Sequence, residues 1–130
     1  MNKNYICVDF DGTLVTHEYP EVGKELPGAV ETCKALINEG HQLILWTMRS
    51  GLTLQDAVSW CFERGITLVG VNKNPTQENW TNSPKAYASL YIDDAALGAP
   101  LNYNPNFAAR PYVDWDRVKE ALHNSGYLLN

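Results

Sequence analysis

The strongest constraint on the fold is a set of short apolar runs that end abruptly in polar residues. In "YICV", residues 5–8, β-branched, aromatic and apolar side chains follow one another without alternation. A strand with one wet face would alternate, so this run reads as a strand buried on both faces, as in a parallel sheet. "HQLILWT" (41–47), "ITLVGV" (66–71) and "YASLYIDD" (87–94) supply three more such strands. Between them lie helical patterns. Pro27 opens one that places Ala29, Val30, Cys33, Leu36 and Ile37 on a single face, and Gly40 closes it. "LTLQDAVSWCFERG" reads as a second helix that stops at Gly65. "DWDRVKEALHNSG" reads as a last helix, capped by Asp114 and ended near Gly126. The alternation predicts an α/β chain, a three-layer open sandwich with a central parallel sheet and helices on both faces.

The chain has 130 residues, 45% of them apolar, which suits one domain over residues 1–130 with a substantial core. The amino terminus carries no apolar stretch of signal-peptide length, and no run approaches a membrane span. Cys7, Cys33 and Cys61 are odd in number, lack C-x-x-C spacing and lie in apolar segments. Buried reduced thiols in a cytoplasmic protein are therefore expected. A net charge of −5 argues against a broad nucleic-acid surface.

Within that frame the aspartates stand out. Asp9 and Asp11 follow the first strand at once, and Asp93 and Asp94 close the fourth. A turn is the simplest reading of Asp-x-Asp-Gly. A calcium loop fails, because Thr13 stands where an acid belongs and Pro20 where the closing Glu would be. In open parallel sheets, however, ligands bind at the carboxyl ends of the strands. Asp9 and Asp11 are two apart in an extended segment and can face one cleft. Four carboxylates gathered there could not all stay ionised without a cation. Oxygen donors without clustered His or Cys favour magnesium over zinc.

These residues resemble the haloacid dehalogenase-like phosphohydrolases. The motif D-x-D-G-T stands as "DFDGT" (9–13), the strand ending in Thr as "LILWT" (43–47), and the closing acidic pair as "LYIDD" (90–94). The resemblance spans roughly residues 5–98 and implies a phosphatase. Asp9 would be the nucleophile forming an aspartyl-phosphate, and Asp11 the general acid and then base. Mg2+ would be held by Asp9, Asp11 (through its backbone carbonyl) and Asp93, with Asp94 adjacent. Thr47 would donate to a phosphoryl oxygen, and a lysine would balance charge: Lys85, at the family's usual place, or Lys73 after the third strand. Gly12, Thr13, Met48 and Arg49 would border the substrate, with His17 and Glu18 as further candidates for contact. An exposed loop arginine is the competing reading of Arg49. Trp46 and Trp60 read as packing residues.

Neither the stretch from Thr13 to Pro27 nor that from Val71 to Ser89 has room for a folded cap domain. A capless site suits a phosphate on a bulky substrate, such as a nucleic-acid end or a protein. It suits a small phosphate ester if a second subunit or the loop after Asp94 closes it. That loop, "GAPLNYNPNFAARPYVDW" (98–115), carries no motif but leaves the sheet beside the cleft. A phosphotransferase and a non-catalytic phosphate or magnesium binder are the alternative functions that share these residues.

Overall fold

The computed structural model describes residues 3–129. Four parallel strands form the central sheet: β1 (Tyr5–Val8), β2 (Gln42–Leu45), β3 (Leu68–Val71) and β4 (Leu90–Ile92), in the order β3-β2-β1-β4. Tyr5 pairs with Gln42 and Val8 with Leu45, while Ile6 pairs with Leu90 and Val8 with Ile92. The first strand thus lies at the centre, and its carboxyl end meets those of β2 and β4. Both β1 and β2 are buried on each face, as their unbroken apolar runs require.

Strand side chains alternate between two cores. Ile6, Val8, Leu43 and Leu45 join the larger one, to which all three α-helices contribute. These are α1 (Ala29–Asn38), α2 (Gly51–Glu63) and α3 (Trp115–Asn124). Cys33 and Leu36 of α1, Ala57 and Trp60 of α2, and Val118 and Leu122 of α3 bury their apolar faces here. Phe10, wholly buried, meets Trp60 edge-on at 5.6 Å. Truncating such an aromatic costs about 3–5 kcal/mol. Asp114 caps α3 by accepting from the backbone N–H groups of Asp116 and Arg117, as the sequence predicts. The first helix starts two residues later than Pro27, at Ala29, because Gly28 sits in the left-handed region at φ 83°.

The chain is the expected three-layer α/β sandwich, and its opposite face carries a lighter cover. Cys7 and Ile44 pack there against Ala86, with Tyr5, Trp46, Val69 and Ala88 around them. The cover is the 72–89 segment, whose helical part is one 3-10 turn, Pro75–Gln77. It holds its shape through buried amides: Gln77 donates to the carbonyls of Ser83 and Lys85 and accepts from the N–H of Tyr87, and Asn74 donates to the carbonyl of Tyr87. Side chains therefore do the work that a helix ladder does on the other face. The three cysteines are free and buried, and burial pushes the thiols of Cys7 and Cys61 up to about 12.

No cap domain interrupts the sandwich. Residues 9–28 hold only isolated bridges, from Val15 to Asp11 and to Glu25. A two-stranded antiparallel ribbon, β5 (Leu101–Asn102) with β6 (Tyr112–Val113), brackets the loop after β4. No helix among the described residues is long and apolar enough to cross a membrane.

Candidate functional site

The site grows from the abrupt end of β1. Asp9 still belongs to the ladder, since its N–H donates to the carbonyl of Ile92. The chain then turns tightly, with the N–H groups of Thr13, Leu14 and Val15 all directed at the carbonyl of Phe10. Gly12 makes the turn possible at φ 82°, and a Cβ at this position would lie 2.4 Å from an Asp94 carboxylate oxygen. The glycine thus lets the two acidic motifs approach. The motif-free loop buttresses the turn from below: Val113 N–H donates to the Gly12 carbonyl, and the Trp115 indole donates to that of Thr13.

Carboxylate oxygens of Asp9, Asp93 and Asp94 lie within 4.8 Å of one another. Burial, and then the neighbouring charges of Asp93 and Asp94, push Asp9 up to about 8. Asp93 is raised as well, chiefly by burial. Thr13 hydroxyl donates to Asp9 at 2.9 Å and accepts from the Asp94 N–H at 3.1 Å, linking the trio. Three hard oxygen donors that repel one another fit a small divalent cation, which would relieve the repulsion. The Asp11 side chain is not part of this trio.

Instead, Asp11 is held by Arg49. Nε and Nη2 of Arg49 each donate to a different Asp11 oxygen at 2.8 Å. The remaining donors reach the carbonyls of Pro20, Thr53 and Glu21 at 3.2, 3.2 and 2.7 Å. All five N–H groups of the guanidinium are thereby committed. Arg49 is only 2% exposed, lies against the rings of Phe10 and Tyr19, and is pushed up from its usual range chiefly by its bonds to Asp11. It is neither an exposed loop arginine nor a free phosphate ligand, because no donor is left over.

Two adjoining hollows open above the trio. The smaller, about 270 Å3, is lined by Asp9, Trp46, Thr47, Met48, Asn72 and Asp93. The larger, about 500 Å3, shares Asp9, Thr47, Met48 and Asp93 and reaches Asp11, Asp94, His17, Tyr19, Arg110 and the edge of the committed Arg49. Thr47 and Met48 border both, as the sequence predicts. Thr47 is positioned by its own N–H, which donates to the Asn72 side-chain oxygen at 2.7 Å. Asn72 adopts φ 57°, a left-handed conformation that asparagine tolerates.

Other expectations need correction. Gly12 and Thr13 are buried and line neither hollow; they act through Asp9 and Asp94. Lys85 lies outside both, its ammonium 5.7 Å from the centre of the Tyr91 ring, because the 72–89 cover turns it towards that face of the sheet. Lys73 is exposed and pairs with Glu78 at 3.7 Å. Glu18 accepts from the Thr16 hydroxyl at 2.6 Å and stays within its own loop. Sequence reasoning missed Asn72 and Arg110, whose partners are distant in the chain. The only signal for Arg110 was its place in the loop leaving β4.

No protein-family model matches the chain, and no curated protein matches it. A solved structure of a conserved protein from Bacteroides thetaiotaomicron is similar to it, with 40% sequence identity over 95% of this chain and 93% of that one and a TM-score of 0.78. With that identity across nearly the full length of both chains, the protein belongs to the same family as the Bacteroides thetaiotaomicron protein.

Proposed function

We propose that the protein is a magnesium-dependent phosphomonoester hydrolase of the haloacid dehalogenase-like type. One observation carries this reading. Asp9, Asp93 and Asp94 bring carboxylate oxygens within 4.8 Å of each other, at a cavity that also exposes Thr47. Such repulsion is costly, and among the described residues only the Thr13 hydroxyl and the Ala95 N–H soften it at Asp9 and Asp93, with no basic side chain paired to the three. Asp9, Asp93 and Asp94 would hold the cation, with the backbone carbonyl of Asp11 as a further donor. When bound, Mg2+ neutralises the phosphoryl oxygens that would repel the nucleophile.

In this reading an Asp9 carboxylate oxygen attacks phosphorus and the ester bond to the leaving oxygen breaks. Asp11 delivers a proton to that oxygen and later removes one from the water that attacks the aspartyl-phosphate. Water's oxygen bonds phosphorus, the bond to Asp9 breaks, and inorganic phosphate departs. Thr47 donates its hydroxyl to a phosphoryl oxygen. Thr13 keeps Asp9 aimed by donating to its other oxygen. Because Arg49 donates to both Asp11 oxygens, the proton that Asp11 carries would occupy a lone pair the guanidinium leaves free, and the clamp fixes the orientation of the acid.

The test is hydrolysis of p-nitrophenyl phosphate with added Mg2+, after chelation, and after Mg2+ is restored. Activity that disappears and returns supports the reading; undiminished activity in chelator defeats it. Cation binding without turnover of any phosphate ester would identify a binder. Turnover that rises with an added alcohol, with phosphate appearing on that alcohol, would identify a phosphotransferase.

A further inference from the structure

The larger cavity is lined by four aspartates, and its two arginines are unequally committed. Arg49 is fully committed to Asp11 and to three carbonyls. Arg110 is exposed and makes no ion pair among the described residues. One of its terminal nitrogens stands 3.3 Å from Nδ1 and 3.2 Å from Nε2 of His17. The in-plane directions of two imidazole nitrogens diverge, so a nitrogen equidistant from both lies against the ring rather than on either lone pair. The other N–H groups of Arg110 carry no hydrogen bond or ion pair among the described residues and are open to a planar or tetrahedral anion.

The two groups come from segments otherwise unrelated in sequence. His17 belongs to the flap after β1, and Arg110 to the loop after β4. A second contact joins these segments, since the Lys24 ammonium donates to the Phe107 carbonyl and lies 4.4 Å from the centre of that ring. The flap and the loop are thus held together, and Arg110 and His17 share the cavity with Asp9 and Asp11.

We infer that Arg110, with His17 against it, forms a second anion subsite. The preferred substrate would then be a small phosphate ester whose leaving group carries a carboxylate or second phosphate. The inference rests on the phosphatase reading and specifies its substrate. A cavity of about 500 Å3 fits a small metabolite. A nucleic-acid strand would need a track of cations, whereas Arg110 is the uncommitted one in this lining and the chain carries net charge −5.

The experiment compares kcat/KM for butyl phosphate, 3-carboxypropyl phosphate and 1,4-butanediol bisphosphate in wild type, Arg110→Ala and Arg110→Lys. Wild type should favour the two substrates that carry a second anionic group by about tenfold, the ratio one charge-assisted hydrogen bond supplies. Arg110→Ala should reduce the preference to about unity, and Arg110→Lys should retain part of it. A preference that survives Arg110→Ala, or an equal loss on all three substrates, overturns the subsite. So does an Arg110-dependent advantage that appears only for a 3′-phosphorylated oligonucleotide.

Calorimetry with 3-carboxypropylphosphonate and butylphosphonate, in Mg2+, gives a readout independent of turnover. An Arg110-dependent preference for the carboxylated phosphonate supports the subsite even if no ester is hydrolysed, in which case only the phosphatase reading falls. Equal binding of the two phosphonates overturns the subsite whatever the hydrolysis assay gives.

Discussion

The site contains two kinds of acid. Asp11 is matched by a buried arginine, with both oxygens bonded and the guanidinium's other donors tied to nearby backbone. Asp9, Asp93 and Asp94 face one another with a threonine hydroxyl among them and, among the described residues, no basic side chain paired to any of the three. The first arrangement makes a rigid part from two charges. The second leaves a deficit of positive charge at the end of β1, where a ligand can supply it. A protein cation appears where shape must be fixed and is missing where exchange must occur.

The largest test of this contrast lies on the trio. Asp9→Asn should lower turnover by roughly 10^4-fold or more, since an amide forms no phosphoenzyme. Mass spectrometry of the acid-quenched enzyme should lose the phosphorylated species in the same variant. Next comes the clamp. Arg49→Ala leaves the half-buried Asp11 charge without its partner and should cost about 2–3 kcal/mol in urea unfolding. Arg49→Lys should recover little, because an ammonium cannot reproduce the fork. A loss below 1 kcal/mol would dissolve the distinction between clamped and unclamped acids.

Asp11→Asn sharpens the comparison from the chemical side. It should slow alkyl phosphates by about 10^2-fold or more while aryl phosphates, which depart with little protonation, fall by much less. Equal losses on both would remove the general-acid role and leave Asp11 as a structural partner of Arg49.

The smallest effect concerns stability and pH. Asp9 is raised in the folded protein, to about 8 against an ordinary 3.8. Its neutral form is favoured by folding, so its contribution is full below about pH 4 and is lost as pH rises towards 8. Cation-free protein should therefore gain stability from Asp9→Asn at pH 8, by roughly 3–5 °C in Tm, and little at pH 4. With saturating Mg2+ the sign should reverse, because the wild type then gains binding energy that the variant lacks. Differential scanning calorimetry at the two pH values, with and without Mg2+, checks both signs.

Much of this was written in the sequence because local rules governed it. Unbroken apolar runs demanded burial on both faces, and β1 and β2 have it; Asp114 announced a helix cap and is one. Asp9 met Asp93 and Asp94 because parallel topology sends the strand ends to one edge, while Asp11 turned to Arg49. What escaped depends on partners far apart in the chain. Arg49 looks like any loop arginine until the fold brings Asp11 beside it. The cover over Cys7 and Ile44 has no helical periodicity to read, since buried Gln77 and Asn74 hold it by side-chain bonds. The family resemblance puts the charge-balancing lysine at Lys85, but the path of that cover decides where its ammonium goes. Arg110 lies in a loop whose anchors, Val113 and Trp115, reach back to the Gly12–Thr13 turn.

The Arg49 clamp has an evolutionary consequence. It grips residues 20 and 21 of the flap through their carbonyl oxygens, which every amino acid offers. Side chains at many flap positions can therefore be exchanged while the attachment to Asp11 persists. Relatives could diversify what they recognise at the rim by point substitution, without rebuilding the chemical machinery beneath it. The same property recommends this loop as a place to randomise in a library meant to redirect the site.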